Sequence, residues 1–206
     1  MAKTWYMVPV RGGSVGLPRK NARMLGGKPL LCHVLHTIKT IDAPEQIVVI
    51  TDDPELQSIA EREGVRVIRE AKTTGKATLD DVCCNNLAAF EAFGAKDEDI
   101  YLTIQATCPF VKAETILKAR AILAANGGSV ITVMDDRHLT WTVDEAGVPK
   151  PLYAARVNRQ KLPPHFRESG AVIGSVIGRI KETRTRINQP VQIVPIEAQE
   201  GLDIDD

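Results

Sequence analysis

The stretch Tyr6-Met7-Val8-Pro9-Val10-Arg11-Gly12-Gly13-Ser14-Val15-Gly16-Leu17-Pro18-Arg19-Lys20-Asn21 decides how this chain is read. Its first five residues are apolar without alternation, as in a strand buried on both faces. A glycine-rich, cationic loop follows at once. Gly12, Gly13 and Gly16 let backbone N–H groups turn inward and approach an anion closely, and Arg11, Arg19 and Lys20 add positive charge to the same loop. A nucleoside triphosphate has both the charge and the acceptors to match. The loop is not a P-loop, because Gly26-Gly27-Lys28 is followed by Pro29 and no Gly-x-x-x-x-Gly-Lys-Ser/Thr occurs. Nor is it the dinucleotide fingerprint, since a proline and two more cations stand where a helix should begin.

Working outward, β-branched runs recur at residues 47–50, 101–104 and 130–133. Helical periodicity separates them. The spacing predicts helices over residues 29–41, 54–63, 79–93 and 112–126, the second capped by Asp52-Asp53 and closed by Gly64. Strand alternating with helix implies an α/β layered, mostly parallel sheet, whose ligands bind beyond the carboxyl ends of the strands. The pattern breaks at about Asp135. A Pro-, Arg- and His-rich stretch over residues 135–168 is too long for an idle loop, so it is expected to be functional or an arm onto a partner. The sheet pattern resumes at Ala171-Val172-Ile173 and at residues 191–196. The whole chain, residues 1–206, reads as one domain.

With 206 residues, this chain can bury about 70% of its unfolded surface without a metal or disulfide staple. Twenty-six basic and 26 acidic residues give zero formal charge, so no global field draws in a nucleic acid backbone and phosphate must be held by a local cluster. No apolar run is long enough for a membrane span. The first residues run straight into a strand and lack a signal peptide's apolar core, so a cytoplasmic protein is expected. Cys32, Cys83, Cys84 and Cys108 form no Cys-x-x-Cys pair and are expected to be reduced thiols.

The segment from Val10 to Asn21 resembles the opening of cytidylyltransferases that activate acidic nine-carbon sugars, the CMP-sialic acid synthetase (N-acylneuraminate cytidylyltransferase) family. The likeness continues in Gly27-Lys28-Pro29-Leu30, Thr51-Asp52-Asp53 and Ile104-Gln105-Ala106-Thr107-Cys108-Pro109. It returns in Arg137-His138 with Trp141, Arg159-Gln160 with Leu162-Pro163, Glu168-Ser169-Gly170-Ala171 and Asp203-Ile204-Asp205, in the family's order. The resemblance implies a Rossmann-like sheet of the nucleotide-diphospho-sugar transferase type. It also implies a homodimer whose small dimerisation arm lies within residues 135–168. The implied reaction transfers CMP from CTP to the anomeric hydroxyl of a sialic-acid-like 2-keto nonulosonate and releases pyrophosphate.

On that resemblance, Gly12, Gly13 and Ser14 offer backbone and hydroxyl donors to the triphosphate. Arg11 and Lys20 neutralise the phosphates, Lys20 also meeting transition-state charge, and Asn21 positions the loop. Gly13 is expected to occupy a backbone conformation closed to a branched side chain. Arg69 and Thr78 match the positions that read cytosine, although the family's Arg-Pro pair is Arg69-Glu70 here and its Ser-rich stretch is Gly75-Lys76-Ala77-Thr78. Gln105, Arg159, Gln160 and His138 would bind the acidic sugar, an arginine being the natural bidentate partner of its carboxylate. Asp203 and Asp205, alternate residues on an expected strand, would point the same way and hold Mg²⁺ or Mn²⁺. Arg11, Lys20 and Asp205 are the expected catalytic residues. Two alternatives remain open: a CMP-Kdo synthetase acting on an eight-carbon acid, and a nucleotide-binding module without turnover.

Overall fold

Trp5 and Met7 face one side of the central strand, while Tyr6, Val8 and Val10 face the other, and all five are buried. That alternation of two apolar sets accounts for the unbroken hydrophobic run: the strand is covered by helices on both faces. In this computed structural model, residues 2–14, 16–71 and 77–205 are described. In chain order the elements are β1 (Thr4–Val10), β2 (Met24–Leu25), β3 (Lys28–Pro29), α1 (Leu30–Lys39), β4 (Ile47–Thr51), α2 (Pro54–Arg62), β5 (Arg66–Arg69) and α3 (Leu79–Ala92). There follow β6 (Ile100–Ile104), α4 (Ala113–Asn126), β7 (Ser129–Asp135), β8 (Trp141–Val143), β9 (Pro149–Pro151), β10 (Phe166–Val176), α5 (Ile177–Thr183) and β11 (Val191–Pro195).

The main sheet has seven strands in the order β11-β7-β10-β6-β1-β4-β5. Strands β1, β4, β5 and β6 pair in parallel, as do β7 and β11, and β10 alone runs antiparallel between β6 and β7. Helices α1, α2 and α4 pack on one face through residues such as Leu35, Leu56 and Ile116. Helices α3 and α5 cover the other through Leu87, Phe90, Ile177 and Ile180. Helix α2 starts where Asp53 Oδ1 accepts from the N–H groups of Glu55 (2.8 Å) and Leu56 (3.1 Å), a side-chain cap with Pro54 at the first helical position. The four expected strands and four expected helices are all present, with boundaries moved by at most two residues.

The structure also adds the short β2, β3, β5 and α5, which the sequence reading lacked, and it differs elsewhere. Strand β10 begins at Phe166, five residues before the expected resumption, and pairs Phe166 with Asp135. A register shift between Glu168 and Ile173, with Gly170 at φ 71°, masks its alternation in the sequence. Residues 141–151 form a separate hairpin, β8 with β9, rather than irregular chain. Lastly, Asp203, Ile204 and Asp205 lie in no strand. The segment is instead tied down by a bond from Ile204 N–H to the Thr107 carbonyl (2.8 Å) and by Lys20 Nζ on Asp205. All four cysteines are free and buried, and burial pushes the Cys83 and Cys108 thiols up to about 12.

Candidate active site

Parallel strands β6, β1, β4 and β5 all end on the same side of the sheet, and the loops that leave them enclose a cleft of about 580 Å³. Its floor is Pro9, Val10 and Ile50. The loop after β1 supplies Arg11, Gly13, Ser14 and Gly16; Lys20 and Asn21 follow; Gln105 and Thr107 come from the end of β6. Glu70, Ala77, Leu79 and Val82 close the opposite wall.

Lys20 is the electrostatic centre of one end. The residue is only 9% exposed, and its Nζ lies 3.1 Å from Asp205 Oδ1 and 3.5 Å from the Asp205 carbonyl. The lysine is therefore a buried cation aimed into the cleft rather than the exposed loop charge its neighbours in the sequence suggested. Asn21 is buried beside it, with Nδ2 donating to the Arg11 carbonyl (3.3 Å). Asn21 Oδ1 has no partner among the described residues, nor does Thr107 Oγ1 on the facing wall. Buried polar atoms left open in a cleft are fitted to a ligand that brings its own donors and acceptors.

The glycine loop is held from below. Gly12 N–H donates to Asp52 Oδ1 (3.0 Å), and a Cβ on Gly12 would stand 2.3 Å from Asp53 Oδ2 and 2.8 Å from Asp53 Cβ. Gly12 thus serves close packing against the β4–α2 junction, and its N–H is already committed to protein. Gly13 shows no positive φ and its Cβ position is open among the described residues, so the expected conformational bar is absent there, and Gly12 is constrained by packing instead. Gly13 and Ser14 do line the cleft. Arg19 is the residue held in the left-handed region, at φ 57°, and its guanidinium pairs with Glu55 on α2, away from the cleft (Nε to Oε2 3.0 Å).

Residues 6–199 match the cytidylyltransferase family. The chain belongs to that family. It is accordingly a nucleotidyltransferase enzyme. This cytidylyltransferase is similar to a CMP-N,N'-diacetyllegionaminic acid synthase of Legionella pneumophila, at 28% identity over 97% of this chain and 89% of that protein. It is also similar to a 3-deoxy-manno-octulosonate cytidylyltransferase of Gemmatimonas aurantiaca, at 31% identity over 58% of this chain and 44% of that protein, so the match spans less than half of that enzyme. Among solved structures, a CMP:2-keto-3-deoxy-manno-octonic acid synthetase complexed with CTP superposes with a TM-score of 0.69 at 15% identity, covering 96% of this chain and 91% of that one. A 4-diphosphocytidyl-2C-methyl-D-erythritol synthase gives 0.74 at 16% identity, covering 100% and 93%. The nucleotide-sugar cytidylyltransferase fold expected from the sequence is thereby shown.

Within this family member, the expected site residues divide. Arg11, Gly13, Ser14, Lys20, Asn21, Gln105 and Asp205 converge on the cleft. The side chain of Gln105 occupies space left by the missing side chain of Gly170, where a Cβ would stand 2.8 Å from its Nε2. Thr78 does not join them, because its hydroxyl forms a capping box with Asp81 at the start of α3, accepting from Asp81 N–H (3.1 Å) and donating to Oδ2 (2.8 Å). Arg69 is exposed at the end of β5, outside the cleft wall, whereas its neighbour Glu70 is part of it. The expected contribution of Gly75 and Lys76 lies outside the described residues.

Arg159 and Gln160 sit exposed on a single turn of 3₁₀ helix (Arg159–Lys161), and His138 pairs through Nδ1 with Asp136 (3.2 Å). None of the three lines the cleft. Asp135 is held down to about 2, chiefly by hydrogen bonds from Arg137 and with a smaller contribution from the charge of Arg159. These arm residues therefore form their own charged cluster. Asp203 is exposed and off the cleft wall, although both Asp203 and Asp205 raise the Cys108 thiol after burial does. Asp52, Glu70 and Thr107 are the cleft residues that sequence reasoning passed over or read as turn and cap positions.

Proposed function

We propose that the cleft binds CTP and transfers its CMP group to the anomeric hydroxyl of a sialic-acid-like 2-keto nonulosonate, giving the CMP-sugar and pyrophosphate. The observation that carries this reading is the polarity of the cleft: the buried cation Lys20, with Arg11, Gly13 and Ser14 of the loop after β1, lines one part, and Ala77, Leu79 and Val82 with Glu70 line another. A triphosphate matches the first and a flat base the second. The sugar oxygen forms a bond to the α-phosphorus while the bond from that phosphorus to the β-phosphate bridge breaks, and the leaving pyrophosphate takes up negative charge. Lys20 meets that charge where water is largely excluded and positioning supplies most of the acceleration. Gln105, able to donate and accept, orients the acceptor sugar.

Mg²⁺ binds one or two carboxylates together with phosphate oxygens and water, and Asp205 on the cleft wall suits that donor set. Asp203, two residues earlier, would be the second ligand. When bound there, Mg²⁺ or Mn²⁺ screens the triphosphate and favours loss of the sugar hydroxyl proton. Among the described residues no group of three or more His, Cys, Asp or Glu side chains is assembled for a metal, which fits an ion completed by the nucleotide.

A nine-carbon acceptor is favoured because the legionaminate relative aligns over 97% of this chain, against 58% for the octulosonate enzyme. The hairpin β8–β9 exposes Trp141 (55%) and Leu152 (66%), with Trp141 stacked edge-on against Tyr153 at 6.0 Å. We propose this arm as the contact of a homodimer, which would also bring Arg159, Gln160 and His138 toward a partner's acceptor site. No helix among the described residues is long and apolar enough to cross a membrane, and a cytoplasmic enzyme is proposed. Pyrophosphate release with CTP, Mg²⁺ and a panel of 2-keto sugar acids tests the reading. CTP binding with no release under any acceptor would instead favour a binding module.

A further inference from the structure

Glu70 follows the carboxyl end of β5 and lines the cleft. Lys20 follows β1, and at about 4.8 Å per strand the two steps from β1 to β5 span about 10 Å, so a nucleotide whose phosphates meet Lys20 can bring its base toward Glu70. The surrounding wall, Ala77, Leu79 and Val82, is apolar. The carboxylate itself is aimed: Glu70 Oε1 accepts from Asn86 Nδ2 (2.7 Å), and the same nitrogen donates to the Val82 carbonyl (2.8 Å). Asn86 is buried, and Glu70 N–H is fixed to the Thr51 carbonyl (2.9 Å). Among the described residues of this wall, Glu70 is the acceptor-only group, oriented by a buried amide, and it suits a ligand edge that carries a donor.

We propose that Glu70, positioned by Asn86, reads the exocyclic amino group of the base and sets the preference for CTP over UTP. The inference rests on the reading of the cleft as a CTP site and deepens it. A carboxylate accepts from the cytosine amino group, whereas uracil presents a carbonyl oxygen at the same place and leaves two acceptors facing each other. A site built to pair with a polar group rejects an analogue that cannot pair, and rejects it more strongly than an apolar pocket does.

The test compares CTP, UTP and dCTP by calorimetric binding and by kcat/KM, in the wild type, Glu70→Gln and Asn86→Ser, with Tm recorded for each. The wild type is expected to select CTP. Glu70→Gln keeps the shape but adds an N–H donor, so the CTP/UTP ratio should fall tenfold or more while the CTP/dCTP ratio stays unchanged. Asn86→Ser, which frees the carboxylate without removing it, should lower the CTP/UTP ratio by a smaller factor, and an unchanged ratio would remove its positioning role. A folded Glu70→Gln protein as selective for CTP as the wild type overturns the Glu70 assignment alone. A change confined to dCTP overturns it in favour of a ribose contact. A wild type that binds UTP as well as CTP removes both this assignment and the CTP reading of the cleft.

Discussion

Lys20 and Asp205 meet at 3.1 Å although 185 residues separate them in the chain. The contact joins the loop that follows the first strand to the C-terminal segment, and it sets a buried cation of the cleft beside a carboxylate whose side chain is 74% exposed. On the proposed reading, the cation would meet phosphate and the carboxylate would hold metal once nucleotide binds. The pair therefore holds two functional groups in register before the substrate arrives.

Lys20→Ala should lower turnover by about two orders of magnitude, the effect of removing one charge-stabilising group from a preorganised site. Folding should change little, because Asp205 stays hydrated and the pair contributes only about 0–1 kcal/mol. Thermal midpoint and pyrophosphate release, measured on the same preparation, check both halves. Unchanged turnover would remove Lys20 from the chemistry.

Gly12 and Gly13 should respond in opposite ways. Gly12→Ala drives a Cβ into Asp53, whose Oδ1 caps α2, so the variant should lose about 1 kcal/mol, the worth of that cap, together with CTP affinity. Gly13→Ala meets no protein atom within 4 Å and should fold normally, any effect appearing in CTP binding alone. Urea midpoints and calorimetric titration with CTP separate the two.

Asp205→Asn removes charge but not size, and it should abolish most Mg²⁺-dependent turnover while leaving the fold intact. Asp203→Asn should cost less, because its side chain lies off the cleft wall. Rates across a Mg²⁺ titration decide. An Asp205→Asn enzyme that works normally at limiting Mg²⁺ would contradict the metal assignment.

Stability on acidification should depend on Asp80, which does not line the cleft. Partial burial acts to raise its carboxyl, but hydrogen bonds from Arg186 and Thr185 and the Arg186 charge outweigh this and hold it below the usual range. A depressed folded-state value means that the contribution is present above the unfolded value, about 3.9, and is lost as pH falls through the folded one. The wild-type urea midpoint should therefore fall more steeply below about pH 4 than that of Asp80→Asn. At pH 7, Asp80→Ala should cost about 3 kcal/mol, since Arg186 is buried and would be left uncompensated.

The sequence made the local fold legible wherever period and caps agree. β1 and β4 showed as β-branched runs, and the Asp53-Pro54 start of α2 was visible as a cap. The short β5 was not, because Arg66-Val67-Ile68-Arg69 carries charge at both ends and only two apolar residues between them. The hairpin β8–β9 escaped because its exposed strands have no buried face to impose alternation. In the site, Lys20, Asn21 and Gln105 were readable, since each lies within or just beyond a loop that directly follows a core strand. Glu70 was not, because its importance comes from Asn86 on a neighbouring helix, sixteen residues away. Thr78 misled for the opposite reason: Thr-x-x-Asp is a capping box, and that local bond takes the hydroxyl that a base would have needed.

The central claim is transfer of CMP from CTP to a nonulosonate. Its most direct test supplies the enzyme with CTP, Mg²⁺ and equal amounts of a diacetylated nonulosonic acid and a 3-deoxy-octulosonic acid, and reads the products by mass. The account predicts a CMP-nonulosonate, formed with one pyrophosphate per sugar consumed, as the dominant product. Intact CTP, or a CMP-octulosonate in its place, would contradict it.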